Sequence, residues 1–269
     1  MADIRTALVT GGSTGVGYQV CRLLVRDGTR VILHAATPAE AQAAVDRLIL
    51  GGADPGLLHP AAADYRRLAD VTSLAGQLDR RHDRLDLLIN NAGAVAPAGR
   101  TVDGFAATFQ INYLAPYALT RKLGRALNAA GGRVVTVASA VHRDGRLDPG
   151  DPAGAAETRP LQEYANAHLA LVLFARALAL TAEQRVTSVA VHPGSLKTDR
   201  GADGAAHIRH AADPAVEVVN GGYYEGLLPS EPAPAARDDD AALRLWRATA
   251  RLLGWDYSVA PRNARAKVA

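Results

Sequence analysis

The stretch "TGGSTGVG", Thr10 to Gly17, decides the fold, because it follows a short apolar run and opens a helical pattern. A glycine-rich turn in this position is typical of a βαβ unit that binds a dinucleotide. Gly11 can form the tight turn, Gly15 lets the backbone approach a pyrophosphate, and Gly17 lets helix and strand pack closely. An ordinary strand-to-helix turn is the alternative, and the position at the start of a βαβ series favours dinucleotide binding.

Short apolar runs alternate with longer stretches of helical periodicity along the chain, as expected for strands buried on both faces. The runs are "TALVT" at 6–10, "RVILH" at 30–34, "LDLLIN" at 85–90, "RVVTVAS" at 133–139 and "RVTSVAVH" at 185–192, with "GLLHPAAA" at 56–63 as a poorer third strand because of Pro60. This rhythm predicts one α/β domain over residues 1–269, a Rossmann-like, doubly wound parallel sheet with helices on both faces.

Composition bounds the class of protein and its partners. The 269 residues are 48% hydrophobic and 21% charged, and the net charge of +3 comes from scattered arginines, so we expect no nucleic-acid partner. No export signal precedes the first strand, and the most apolar stretch, Leu169 to Leu180, is too short for a membrane span and contains Arg176. We therefore expect a cytoplasmic protein without membrane association. The single Cys21 excludes a disulfide framework, and no histidine pair has convincing metal-ligand spacing, so no metal is predicted.

The spacing Gly-x3-Gly-x-Gly resembles that of the short-chain dehydrogenases/reductases, and the resemblance covers nearly the whole chain. The subgroup that it resembles most includes the retinol dehydrogenases and protochlorophyllide reductase. The resemblance implies a nicotinamide dinucleotide, hydride transfer and a site at the carboxyl ends of the strands. The motifs that carry it, besides the glycine turn, are Asp64, "NNAG" at 90–93, "FQINYLAP" around Asn112, "VASA" around Ser139, Tyr164 and "HPGSLKT" at 192–198.

The resemblance also implies which residues bind the cofactor. Asp64 would accept a hydrogen bond from the adenine amino group beside the backbone of Tyr65, although Asp64 could also be the N-cap of the following helix. "NNAG" would pass beneath the cofactor ribose, and the segment after Pro193 would surround the nicotinamide. The predicted cofactor-binding residues are Gly11, Ser13, Thr14, Gly15, Val16, Gly17, His34, Ala36, Thr37, Asp64, Tyr65, Asn91, Ala92, Gly93, Pro193, Gly194, Leu196 and Thr198.

The choice between NAD and NADP depends on the residues after the second strand. An acidic residue there would bind the ribose 2′-hydroxyl, and a basic residue would pair with a 2′-phosphate. We interpret the segment "HAATPAE", 34–40, as offering neither. Ser13, Thr14, His34 and Thr37 could supply donors to the phosphate, and we expect no carboxylate to oppose it. NADP(H) is therefore favoured over NAD(H).

The predicted catalytic residues are Asn112, Ser139, Tyr164 and His168. In the family pattern the tyrosine protonates the carbonyl oxygen as hydride arrives, the serine orients that oxygen, and the asparagine supports a water relay. A lysine four residues after the tyrosine holds the ribose hydroxyls and lowers the tyrosine pKa. That position holds His168, which has a shorter reach and is mostly neutral above about pH 6.5.

Three functions remain open on this sequence. The first is an NADPH-dependent ketoreductase in which His168 or a phenol of the substrate itself takes over part of the proton transfer. The second is a dinucleotide-binding sensor or partner module without redox turnover. The third is a non-redox cyclase, dehydratase or epimerase on the same fold. The retained motifs favour the ketoreductase, although His168 could also be a helix residue that merely fills the space of a lysine.

The substrate and the assembly are bounded more loosely. The segment 197–230 is expected to be a substrate lid, and its Tyr223, Tyr224, Leu227 and Leu228 suggest a flat, apolar substrate. A hydrophobic ketone or alcohol fits this, such as an aromatic polyketide of antibiotic biosynthesis. The stretch "LALVLFARALAL" is apolar around most of its circumference, which predicts a homodimer unless "AALRLWRATARLL" covers its second face.

Overall fold

The computed structural model describes residues 4–153, 159–181, 185–194 and 202–255, and the statements below refer to these residues. The strands are β1 (Thr6–Val9), β2 (Arg30–Ala35), β3 (Leu58–Ala62), β4 (Leu87–Asn90), β5 (Arg133–Val137), β6 (Thr187–His192), β7 (Tyr223–Glu225) and β8 (Leu228–Ser230). They form one sheet in the order β3-β2-β1-β4-β5-β6-β7-β8. All neighbours are parallel except β7 and β8, which confirms the predicted fold class.

Helices cover both faces of this sheet. They are α1 (Gly15–Arg26), α2 (Pro38–Leu50), α3 (Leu68–Arg81), the short α4 (Ala107–Phe109), α5 (Ala115–Lys122), α6 (Gly124–Ala130), α7 (Pro160–Leu180), α8 (Ala202–Ala212) and α9 (Asp239–Leu252). The core on one face takes its helical residues mainly from α1, α2 and α8, and the core on the other from α3, α5, α7 and α9. None of these helices is both long and apolar enough to span a lipid bilayer.

The third strand forms despite its proline because β3 lies at the edge of the sheet. Pro60 is paired in register with Leu33 of β2, and β3 has no partner on its other side in the described sheet. A residue without an N–H is tolerated at such an edge, since one side of the strand forms no ladder. The prediction of a strand in this part of the chain is therefore confirmed.

Helix α7 is buried around most of its circumference within the chain itself. One side faces the sheet, and α9 covers the other, where Phe174 and Trp246 stack with ring centroids 5.8 Å apart. Arg176 and Asp239 form an ion pair between the same two helices. The apolar circumference that suggested a dimer thus has an intramolecular explanation, and the predicted homodimer loses the argument on which it rested.

The lid predicted over 197–230 stays a prediction, and the described part of this segment is ordered into a helix and two short strands. Helix α8 packs against α1, with Ala205 and Ile208 fully buried, and β7 and β8 extend the main sheet. Tyr223 and Tyr224 are buried by this packing, whereas Leu228 is exposed at the edge strand. Residues 197–201 lie outside the described part. Gly221 and Gly226, with positive φ values, lie at the connections that flank β7.

Candidate active site

A cavity of about 320 Å³ lies at the carboxyl ends of β1, β4, β5 and β6, next to the first turns of α1 and α7. This is the edge at which open parallel sheets bind their ligands. The cavity brings together all four predicted catalytic residues and ten of the predicted cofactor-binding residues. These are Asn112, Ser139, Tyr164 and His168, together with Gly11, Ser13, Thr14, Val16, Gly17, Asn91, Ala92, Gly93, Pro193 and Gly194.

Glycine is required for a different physical reason at each of the three glycine positions of the first turn. A Cβ at Gly17 would lie 2.2 Å from the carbonyl oxygen of Gly11, so glycine is needed there for α1 to approach the loop. Gly11 has a φ of +63° and a similarly tight approach to Ala92. Gly15 has a φ of +54° but nothing within 4 Å of its absent Cβ. The backbone at Gly15 therefore borders open space at a helix N-terminus, which fits a pyrophosphate.

Thr10 and Asn91 hold the glycine turn against the end of β4. The Asn91 side-chain amide donates to the carbonyl oxygens of Thr10 at 2.9 Å and Gly11 at 3.1 Å. The Thr10 hydroxyl oxygen accepts from the backbone N–H groups of Asn91 and Ala92, both at 3.0 Å. These bonds fix the backbone of "NNAG" beside the turn, as predicted for a segment that passes under the cofactor.

A second cavity of about 280 Å³ continues from the first along the end of β2. It shares Gly11, Ser13, Ala92 and Gly93 with the first cavity and adds four further predicted residues, His34, Ala36, Asp64 and Tyr65. The two cavities together run from the ends of β5 and β6 past the glycine turn to the end of β2. Leu196 and Thr198, the remaining predictions for the nicotinamide end, lie outside the described residues.

The alternative reading of Asp64 as a helix N-cap is wrong. Helix α3 begins at Leu68 after Arg67, and the Asp64 carboxylate accepts from the N–H of Arg66 at 2.9 Å in a turn before it. The Leu68 N–H is instead bound by Asp103 from a distant loop. Asp64 therefore retains a place in the second cavity without a role in starting the helix.

His34 has no donor to offer a phosphate, which corrects the expectation from sequence. Its Nε2 donates to the carbonyl oxygen of Ala63 at 3.1 Å, and its Nδ1 accepts from the N–H of Gly11 at 3.3 Å. Burial lowers the pKa of His34 to about 4, so the ring is neutral at pH 7. His34 therefore stabilises the glycine turn through its hydrogen bond with Gly11, and it carries no charge that could pair with a phosphate.

Thr37 and Glu40 form a capping box at the start of α2, and neither behaves as predicted. The Thr37 hydroxyl accepts from the N–H of Glu40, the Glu40 carboxylate accepts from the N–H of Thr37, and Thr37 lines neither cavity. Glu40 does line the second cavity. The expectation that no carboxylate faces this region is therefore wrong, because Glu40 lies in the first turn of α2 and borders the cavity.

Cations that the sequence reading missed lie in the same region. Arg47 of α2 donates to the carbonyl oxygen of Ser13 at 2.5 Å, and its guanidinium lies 4.7 Å from the centre of the Tyr18 ring. Arg66 lines the second cavity beside Asp64. Arg47 is nine residues beyond Pro38, the start of α2, so a search limited to the end of β2 cannot find it.

Ser139 is placed by the turn that follows β5. It is the N-cap of the 3-10 turn Ala140–Asp144, and its hydroxyl accepts from the N–H of Val141 at 3.4 Å. His142 donates through Nδ1 to the carbonyl oxygen of Ser139 at 2.8 Å and accepts through Nε2 from the N–H of Ala233 at 3.0 Å. His142 is thus a neutral clamp that joins the serine turn to the segment after β8.

Tyr164 and His168 lie one turn apart on the face of α7 that borders the cavity. Burial raises the pKa of Tyr164 and lowers the pKa of His168 to about 3, with smaller contributions to the latter from His142 and His192. The phenol is therefore protonated and the imidazole uncharged at neutral pH. Both ring nitrogens of His168 are buried without a hydrogen-bond partner among the described residues.

The Asn112 side chain uses its hydrogen bonds to hold the neighbouring backbone in place. It lies in a π-helical turn, Gln110–Leu114, and its amide donates to the carbonyl oxygens of Ala94 at 2.6 Å and Thr108 at 2.7 Å. Its oxygen accepts from the N–H of Ala94 at 3.1 Å. Both amide donors are used, so the side chain cannot donate to the water that the resemblance implies.

His192 is a cavity residue that is not among the site residues predicted from the sequence. It is the last residue of β6 and lines the first cavity, and its Nδ1 is buried without a described partner. The available signal was its position directly before Pro193 and Gly194, where β6 ends at the ligand-binding edge. Val137, Ala138 and Leu171 also line the cavity and were missed.

Comparison with known proteins settles the family. A family model described as short chain dehydrogenase matches residues 5–207. The chain belongs to the short-chain dehydrogenase/reductase family. Members of this family are dehydrogenases and reductases that act on alcohol or carbonyl groups with NAD(P), and this chain is an oxidoreductase of that class.

Similar short-chain dehydrogenases/reductases span most of the chain. Human retinol dehydrogenase 13 is 31% identical, over 93% of this chain and 85% of its own length. A Streptomyces protein provisionally named daunorubicin C-13 ketoreductase DnrU is 30% identical, over 93% of each protein. A solved structure from Mycobacterium paratuberculosis is 29% identical, with a TM-score of 0.79 and 94% coverage of each chain. The predicted likeness to the retinol dehydrogenase subgroup is thereby confirmed.

Proposed function

We propose that this protein is an NADPH-dependent ketoreductase that reduces a carbonyl group of a hydrophobic substrate. The observation that carries the proposal is the placement of the Ser139 and Tyr164 hydroxyls in one cavity with the glycine turn. A ketone oxygen only accepts hydrogen bonds, and these two hydroxyls are donors suited to orient and protonate it.

The cradle fits a nicotinamide dinucleotide, which supplies the hydride when bound. The backbone at Gly15 and the first turn of α1 would hold the pyrophosphate, and the "NNAG" backbone would border the ribose. His168, whose ring nitrogens have no partner among the described residues, lines the same cavity beside Tyr164. These residues bind and orient, and Tyr164 holds the proton that the reduction consumes.

The preference for NADPH rests on Arg47. Its guanidinium at the Ser13 carbonyl is close to the glycine turn and the second cavity, where an adenosine 2′-phosphate would lie. Arginine suits a phosphate better than any other side chain because its planar donors match the oxygens. Glu40 opposes this preference from the same cavity, but its carboxylate is partly engaged in capping α2.

The substrate is proposed to be uncharged and apolar, with an aromatic polyketide ketone as the specific candidate. Among the described residues, those that line the first cavity include no Asp, Glu, Lys or Arg, and the two histidines there both have lowered pKa values. A charged substrate would find no partner among them. The provisional name of the Streptomyces relative supports an aromatic polyketide.

The test is a combination of binding and turnover. Calorimetry should give a lower dissociation constant for NADPH than for NADH, and NADPH should be oxidised in the presence of hydrophobic aromatic ketones. Ser139→Ala should lower kcat by roughly 10²-fold while NADPH still binds, because the hydroxyl acts on the carbonyl. Tight NADPH binding without turnover of any ketone or alcohol in the panel would instead identify a dinucleotide-binding module.

A further inference from the structure

Three buried histidines near the ligand-binding edge differ in how their rings are satisfied. His34 and His142 each use both nitrogens in hydrogen bonds to the backbone, as expected for structural histidines. His168 is equally buried, yet neither of its nitrogens has a partner among the described residues. A buried imidazole left unpaired costs about 1–3 kcal/mol per group, so this arrangement needs a reason other than packing.

His192 is the second histidine that lines this cavity. Alternate residues of a strand share a face, so His192 lies on the same side of β6 as Ala190, which packs in the core formed with α7. His192 and His168 line the same cavity, and His192 lies close enough to contribute to the lowered pKa of His168. The Nδ1 of His192 is also buried without a described partner.

Glu225 continues this path to solvent. It is paired in register with His192 across the parallel strands β6 and β7, so the two side chains leave the sheet on the same face. Arg143 holds the Glu225 carboxylate at 2.6 Å, and the Tyr223 hydroxyl donates to it at 3.2 Å. The Glu225 side chain is 41% exposed, so it exchanges protons with water.

Charged and polar groups from several elements face His192, and burial is the largest influence on its pKa. Burial lowers its pKa, Glu225 of β7 and the carbonyl of Ala138 raise it, and Arg143 lowers it. His168 of α7 faces it from the helix side. A neutral imidazole can pass a proton onward, because one nitrogen accepts while the other releases. His168 keeps both ring nitrogens free of described partners and His192 keeps its Nδ1 free, whereas His34 and His142 use both of theirs in backbone hydrogen bonds.

We propose that His168 and His192 form a proton relay that connects Tyr164 with Glu225 and the solvent. The relay rests on the proposed ketoreductase function. As hydride forms the new C–H bond, the carbonyl oxygen takes the phenol proton of Tyr164. The phenolate regains a proton from one nitrogen of His168, whose other nitrogen takes a proton from His192, directly or through a water. His192 is resupplied from solvent at Glu225, so each reduction consumes one hydride and one solvent proton.

The test uses variants along the path and a control away from it. His192→Gln keeps a polar side chain of similar volume but cannot both accept and release a proton in a relay, and Glu225→Gln removes an exposed carboxylate. Each should lower kcat about tenfold or more and change the solvent deuterium isotope effect, with the NADPH dissociation constant unchanged. His82→Gln, at the end of α3 beside the edge strand β3, should leave all three quantities unchanged.

Rescue separates a relay from a packing role. Added imidazole should restore at least a quarter of the lost kcat in His192→Gly, because a free imidazole can enter the space and carry protons. A fall in kcat with no rescue and an unchanged isotope effect would overturn the relay, as would Glu225→Gln with wild-type kcat. A wild-type enzyme that reduces no carbonyl compound would overturn the ketoreductase function itself. Wild-type reduction with unaffected His192 and Glu225 variants would overturn only the relay.

Discussion

Tyr164 and His168 meet edge to face, with their ring centroids 4.2 Å apart on one face of α7. An imidazole with a pKa of about 3 therefore borders the phenol at the position where the family resemblance expects an ammonium group. Burial raises the pKa of Tyr164, and no described charge lowers it. At neutral pH the site thus holds an acid ready to donate, but it has little of the phenolate that the reverse reaction needs as a base.

The first prediction concerns the direction of the reaction and its pH dependence. Carbonyl reduction uses the protonated phenol, so Tyr164 should impose no fall in kcat between about pH 6 and 9. Alcohol oxidation uses the phenolate, so its rate should rise about tenfold per pH unit up to about pH 10. Initial rates in both directions across this range provide the measurement. Oxidation that reaches a plateau near pH 8 would contradict the raised pKa.

A pair of glycine substitutions should separate binding from folding. Gly17→Ala places a Cβ against the carbonyl oxygen of Gly11 and should lower the free energy of unfolding by about 1–3 kcal/mol. Gly15→Val meets no described atom in the protein, apart from the cost of its positive φ of about 1–2 kcal/mol, but it fills the space assigned to the pyrophosphate. Urea unfolding and calorimetry should show dinucleotide binding abolished in folded Gly15→Val. An unchanged dissociation constant there would remove the phosphate assignment.

Cofactor choice should respond in opposite directions to two residues of α2. Arg47→Gln should weaken NADPH about tenfold and NADH little, because only NADPH carries the phosphate that the guanidinium would meet. Glu40→Gln should tighten NADPH by removing a negative charge from the second cavity. Calorimetry of both cofactors with both variants is the measurement. Equal losses for NADPH and NADH in Arg47→Gln would show that Arg47 only braces the Ser13 loop.

The sequence was sufficient for the sheet and for most of the cavity, because the features concerned are local. Gly11, Gly15 and Gly17 are required by backbone geometry that any chain in this turn must adopt. Arg47 and His192 were missed because their relevance depends on which helix turn or strand end meets the glycine turn in space. Strands β7 and β8 were not predicted for a related reason, since "NGGYYEGLLPS" has the composition of a loop and yet adds two short strands to the sheet.

Acid should destabilise the protein through His34. Its folded pKa of about 4 lies below the usual value of 6.5, so the unfolded chain binds more protons between these values. Stability should therefore fall as the pH drops from about 6.5 to 4, by up to about 3 kcal/mol from this residue. His34→Gln should reduce the difference in the free energy of unfolding between pH 7 and pH 4.5, measured with urea. An identical difference in the variant would mean that other groups control the acid response.

The last prediction returns to Tyr164 and His168. Tyr164→Phe should lower carbonyl reduction by roughly 10²-fold or more, because it removes the acid that the relay supplies. His168→Lys should place an ammonium near the phenol and lower the Tyr164 pKa, so alcohol oxidation should begin its rise at least about one pH unit lower. Reduction at pH 7 should gain little, since the wild-type phenol is already protonated there. His82→Lys controls for added charge.

A reductase that keeps most of its activity in Tyr164→Phe would show that the substrate or water delivers the proton. A strong acceleration of reduction by His168→Lys would show that a neutral imidazole limits the reaction.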